Sequence, residues 1–241
     1  MKNKIYIGCA GFTGRDWKGI FFPDGLAYKE ELSYYSTRFN AVEINSTFYR
    51  KPRVTTLENW YTRSAEDFRF FVKMPKTFTH IQKLQNSAQD ILEFCSYIQT
   101  GLNEKLAGFL YQFPPGFHYS QENLEAVLQN IPPDFISVTE FRHESWWRSD
   151  ASKVLAERGI VFAGVSYPGN IPDVVITAHS KTGYYRLHGV PVMFKSEYSD
   201  QFLSDIAEDI KDSGRDFYVF FNNTWGTAGL KNGLDLMKII Q

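Results

Sequence analysis

The sequence predicts an α/β fold: one TIM (β/α)8 barrel domain over residues 1–241, with one outer helix short or missing. Three observations lead there. Eight short apolar runs recur along the chain, helix-period segments separate nearly all of them, and the 241 residues give about 30 per strand and helix unit, near the ~250 typical of such barrels. A doubly wound sheet would carry a glycine fingerprint after a strand. The stretch GFTGRDWKG that follows the first run fits neither G-x-G-x-x-G nor a phosphate-binding loop.

In chain order, IYIGCA (5–10) reads as the first strand and 27–39 as the first helix. AVEIN (41–45) is the second strand, followed by a helix near 53–65, and FRFFVKM (68–74) is the third. The helix at 86–100 places Ile91, Phe94, Cys95 and Ile98 on one stripe, and that at 120–131 does so with Leu124, Val127, Leu128 and Ile131. Between these two helices lies the fourth strand, LAGFLYQF (106–113), and after them come ISVTEFR (136–142), a helix at 149–158 and IVFAGV (160–165). Residues 166–183 carry Pro and Gly and read as loop, so the missing helix belongs there. YYRLHG (184–189), a helix at 199–212, FYVFFNN (217–223) and a helix at 227–239 complete the set. Gly159 and Gly214 stand where two helices should stop.

Composition excludes several classes. A net charge of -1 and a pI near 6.5 leave no broad basic face for phosphate backbones, so any anion site must be local. Cys9 and Cys95 lie far apart and form no C-x-x-C, the pattern of free buried thiols in a reducing compartment. Only eight residues precede Cys9, too few for a lipoprotein signal, and no run approaches 18 apolar residues. The expectation is a cytoplasmic protein without a membrane contact.

Chemistry in such a barrel gathers where strands end. The strand ends here carry Glu43 and Asn45, Lys73, Gln112, Glu140 and Arg142, Arg186 and His188, and Asn222 with Asn223. Strand alternation sets Val42 and Ile44 toward the helices and Glu43 and Asn45 toward the interior. Two carboxylates against Lys73, Arg142 and Arg186 leave about one positive charge, which favours an anion. NNTWGTAG runs into the last helix, where barrels often hold phosphate. Loop aromatics, Trp17 and Tyr49 among them, could stack on a ligand, although most residues of this kind pack.

The roles expected are Glu43 or Glu140 as base, His188 as acid or orienting group, and Lys73, Arg142 and Arg186 as anion holders. Asn45, Gln112, Asn222, Asn223, Trp17 and Tyr49 complete the binding set. No nucleophile elbow is present, since GVSYPG misses G-x-S-x-G by one residue. Three cations beside the carboxylates oppose a metal cluster; a single divalent ion held partly by substrate stays open, and no cofactor is named. His118 and His179 receive no catalytic part.

Seven segments together resemble a known family: GCAGFTGRDWKGIFFP, FNAVEINSTFYRKP, FRFFVKMPKTFTH, LYQFPPGF, VTEFRHESWW, YYRLHG and FFNNTWGTAG. They resemble the YecE-like family, also catalogued as domain of unknown function seventy-two, and run in family order from Gly8 to Gly229. The resemblance implies a TIM barrel, similar to the group that includes endonuclease IV and xylose isomerase, so phosphodiester or sugar chemistry enters through it. Cys9 and Phe12 stand where the family more often has Thr and Trp. An acidic residue near the sixth strand's end has no counterpart between Glu157 and Asp173. Two functions follow: a hydrolase- or lyase-type enzyme acting on a phosphate-bearing substrate or nucleic-acid fragment, or a non-catalytic nucleotide or nucleic-acid binder. The residues name no protein partner and no oligomeric state.

Overall fold

The computed structural model describes residues 3–176 and 180–240; His179 lies outside them. Strands and helices alternate: β1 (Ile5–Cys9), α1 (Glu31–Tyr35), β2 (Ala41–Ile44), α2 (Val54–Arg63), β3 (Arg69–Lys73), α3 (Ala88–Leu102) and β4 (Leu106–Gln112). Then come α4 (Gln121–Asn130), β5 (Ser137–Glu140), α5 (Ser149–Glu157), β6 (Ile160–Phe162), β7 (Gly164–Ser166), β8 (Thr182–Leu187), α6 (Asp200–Asp212), β9 (Asp216–Phe221) and α7 (Ala228–Ile240). Gly159 and Gly214 adopt φ of 79° and 63° just past α5 and α6, the left-handed turn that lets glycine end a helix.

All ladders between strands are parallel and form two sheets, β1-β9-β8-β7 and β2-β3-β4-β5-β6. The predicted strand 160–165 is in fact two. β6 pairs with β5 and β7 with β8, with only Ala163 between them, so this run passes from one sheet to the other. The predicted helix 27–39 is built as a 3-10 turn, Tyr28–Glu30, that runs into α1 and on through hydrogen-bonded turns to Phe39, after which Asn40 meets β1. There its side-chain amide bonds Ile7 N–H (2.7 Å) and Ile5 C=O (2.9 Å), satisfying backbone groups on an edge that lacks a strand partner. Residues 167–176 and 180–181 hold no helix, as the Pro and Gly content predicts.

Two apolar clusters follow from the alternation of side chains. Val42, Ile44, Phe70, Val72, Phe109, Tyr111, Tyr185, Leu187, Phe217 and Val219 pack outward with the helices. Ala41, Phe71, Leu110, Val138, Tyr184 and Phe220 form a second cluster with members from both sheets. Two residues further along the same strands come Glu43, Lys73, Gln112, Glu140, Arg186 and Asn222. The period of two puts each polar group directly above an apolar one, so the inner face changes from oil to charge within one pleat step. Both cysteines are buried free thiols, each pushed up to about 12 by burial, and so inert as nucleophiles.

Candidate functional site

Arg186, from β8, is the hub of the polar layer. Its Nε and Nη2 donate to Glu43 Oε2 and Oε1 at 2.8 and 2.6 Å, and its Nη1 donates to Glu140 Oε2 at 2.5 Å. Tyr184 adds a hydroxyl donor to Glu43 Oε2 at 2.6 Å. Glu43, Glu140 and Arg186 are no more than 1% exposed. Ionised groups this deep persist only when paired, and each here has at least two charge-assisted partners.

Arg142 extends the chain of charges. It ion-pairs with Glu140 through Nε, and its guanidinium lies 4.1 Å over the Tyr167 ring. Burial alone would raise the Glu140 carboxyl, but Arg142 and Arg186 outweigh it and hold the group well below the usual carboxylate range. The reverse balance raises Arg186, where burial is outweighed by Glu140 and Glu43.

His188 sits at the top of this network, fully buried. Asn222 Nδ2 lies 2.8 Å from its Nδ1, Arg142 Nη2 lies 3.1 Å from its Nε2, and Glu140 Oε2 is 3.4 Å from Nε2. Burial first and the Arg142 charge second lower its pKa to about 3. The imidazole is therefore neutral near pH 7, able to orient a neighbour but holding no proton to deliver as imidazolium.

Lys73 ends β3 over the Phe48 ring, with Nζ 4.4 Å from the centroid. Among the described residues its ammonium makes no ion pair or hydrogen bond. Burial, then the charge of Arg186, lowers it to about 8. His80, on the π-helical turn Thr77–Ile81 that follows β3, is also lowered, by burial and by Lys73.

The structure brings seven residues of the expected set together: Glu43, Lys73, Glu140, Arg142, Arg186, His188 and Asn222. Others it directs elsewhere. Trp17 is buried among Phe21, Phe22 and Tyr35 and donates to Gly226 C=O, so it packs the loop. Asn223 is buried on Ser196 C=O and Asn232 Oδ1. Gln112 donates to Phe113 C=O at 2.6 Å. Tyr49 is exposed, edge-on to Phe48, and Asn45 faces a cleft beside the network.

Sequence reasoning missed two groups. Tyr184 reads as an ordinary strand aromatic, and only its position two residues before Arg186 hints at a shared face. Asp173 folds back along β7, where Val174 bridges Val165. Its carboxylate accepts from Ser166 Oγ at 2.7 Å and Tyr185 Oη at 2.5 Å. This acid bonds Tyr185, a member of the outward cluster, and so lies apart from the inner polar layer. Among the described residues no group of three or more His, Cys, Asp or Glu forms an arrangement that could hold a metal ion. Among the described residues no helix is long and apolar enough to cross a membrane.

A family model described as a protein of unknown function, DUF72, matches residues 6–241. The chain is 24% identical over 269 residues to the UPF0759 protein YunF of Bacillus subtilis (strain 168), spanning 98% of this chain and 94% of that one. It is 27% identical over 165 residues to the UPF0759 protein YecE of Escherichia coli (strain K12), spanning 67% of this chain and 57% of that one. A solved structure of a DUF72 family protein from Thermotoga maritima superposes with a TM-score of 0.87 at 29% identity, over 99% of each chain.

Proposed function

Because this chain belongs to the DUF72 family, whose name carries no activity, we propose from its own geometry that it binds a small phosphate- or carboxylate-bearing ligand at the strand ends. The observation that carries this reading is Lys73, an ammonium without a carboxylate partner beside two arginines. Glu43 and Glu140 offset Arg186 and Arg142, so Lys73 is the residual positive charge. In a half-dry site that charge attracts an anion strongly. Arg142, the network's more exposed arginine, and Asn222 supply donors; Arg186 has spent its donors on the two carboxylates.

The two sheets are read as one closed (β/α)8 barrel in a single domain. Supporting this are the inner cluster shared by both sheets, the passage from β6 to β7 through Ala163, and the bridging of β2 and β5 by Arg186.

If the site turns over its ligand, Lys73 is the proton-transfer group. Its pKa near 8 lies close to neutrality, whereas Glu43 is saturated with donors and His188 is held neutral. The substrate would be a phosphate ester or a similar anion handled by hydrolysis or elimination in the cytoplasm. The alternative, an anion binder without turnover, has the same contacts.

A thermal-shift screen of phosphate, sugar phosphates and carboxylates tests the reading. A ligand at 100 times its dissociation constant adds about 2.7 kcal/mol of stability. That shift should fall to about half or less in Lys73→Met and shrink in Arg142→Ala. An unchanged shift in both variants would refute the site. Turnover of a stabilising ester separates enzyme from binder.

A further inference from the structure

We propose that a cleft between α1 and α2 is a second ligand site, separate from the strand-end network and built for a nucleoside monophosphate. It encloses about 690 Å³, within the ~300–1,000 Å³ range of small-molecule sites. Its floor is the loop Ala10–Thr13 after β1 together with Asn45 and Ser46 after β2. Tyr28, Lys29 and Leu32 line one wall; Thr56, Asn59, Trp60 and Arg63 of α2 line the other. A hollow of about 330 Å³ at Arg53 shares Ser46, Arg50, Thr56 and Trp60 with it and lengthens it toward the start of α2.

Charge selects the ligand class. Lys29, Arg50, Arg53 and Arg63 line these two spaces, and no carboxylate does among the described residues. Arg63 is paired with Glu30 at 3.0 Å; Lys29, Arg50 and Arg53 pair with no carboxylate among the described residues. In a chain whose net charge is -1, three uncompensated cations on one cleft are a local excess that raises the concentration of anions there. Arginine's planar fork matches a phosphate group in two-point contact.

The rest of the lining asks for a flat ring. Tyr28, 70% exposed, stands at the rim, and Trp60 forms part of the wall with one face stacked on Phe70. Every nucleobase has a π face to lay on such rings. Asn45 and Asn59 add side-chain amides to the lining, the groups that pair with the polar edge of a base. Phosphate at Arg50 and Arg53, with the base toward Tyr28 and Asn45, uses every unusual feature of the lining.

The test is calorimetric titration of the full chain with adenosine monophosphate, adenosine and inorganic phosphate, on wild type, Tyr28→Ala and the double variant Arg50→Ser/Arg53→Ser. All three substituted side chains are exposed, so the fold is not at stake. Saturable binding of the monophosphate is expected, at least about tenfold tighter than adenosine or phosphate alone, and weakened at least about tenfold by the double variant. Tyr28→Ala should weaken it about threefold or more. Wild-type affinity in the double variant, equal binding of adenosine, or no saturable binding overturns the proposal. The double variant retains the Lys73 site, so its response to inorganic phosphate separates failure of this cleft from failure of the strand-end reading.

Discussion

Glu43 and Arg186 stand 143 positions apart, on strands of different sheets, and meet in a two-point ion pair at 2.6 and 2.8 Å. Arg186 reaches from there to Glu140 on β5, so one guanidinium fastens two carboxylates of the opposite sheet. The pair is a clamp across the interior before it is anything chemical.

Breaking the clamp should therefore appear first as lost stability. Glu43→Gln removes one charge of a buried pair and leaves Arg186 with a single carboxylate, a change that costs about 3–5 kcal/mol in comparable sites. Urea unfolding should show a lower midpoint with an unchanged slope. A variant as stable as wild type would mean that the pair is not buried as described.

Lys73 makes the proposed anion affinity depend on pH. Its ammonium persists below about 8 and is lost above it, so affinity for inorganic phosphate should fall as pH rises through that value. In Lys73→Met affinity should be at least about tenfold weaker, with no step near pH 8. The same variant should be more stable than wild type at pH 7, because a lysine pKa depressed on folding marks an ammonium that destabilises the folded state until it deprotonates. Titration calorimetry and urea melts at pH 6.5, 8 and 9.5 read both effects.

His188 carries a linkage of the same sign in a more acid window. Its folded pKa, about 3, lies below the ordinary 6.5, so the unfolded chain takes up a proton that the folded one refuses. The stability it contributes is complete above pH 6.5 and drains as pH falls toward 3, at up to about 1.4 kcal/mol per unit. His188→Gln should flatten the loss between pH 6.5 and 4.5. Equal slopes for variant and wild type would contradict a neutral, buried imidazole.

Gly8 tests how closely the two sheets approach. A Cβ built there would lie 1.9 Å from Ala41 C=O, a backbone atom that cannot swing aside. Gly8→Ala should push β1 from β2 and cost about 3 kcal/mol or more, measured by thermal or urea unfolding. A cost under about 1 kcal/mol would show that the sheets are free to part at that point, against barrel closure.

Much of this was legible in the chain because it is periodic. The inward direction of Glu43, Lys73, Glu140 and Arg186 follows from a side-chain period of two. Helix stops at Gly159 and Gly214 follow from backbone sterics that act on one residue at a time. The division of the run 160–166 between two sheets was not legible, since pairing partners are chosen by neighbours dozens of residues away. Nor was Asp173, which reaches the strand end from a loop, or the cleft at Arg50, which exists only where two helices and two loops leave space.

Which residues line the interior, and that charges collect at the strand ends, can be read along the chain, because alternation and composition are local properties. How those charges are spent is a property of the fold: Arg186 on Glu43 and Glu140, His188 held neutral, Lys73 left over. Pairing depends on distances and desolvation between residues up to 143 apart, and no local pattern in a chain encodes a distance across its fold.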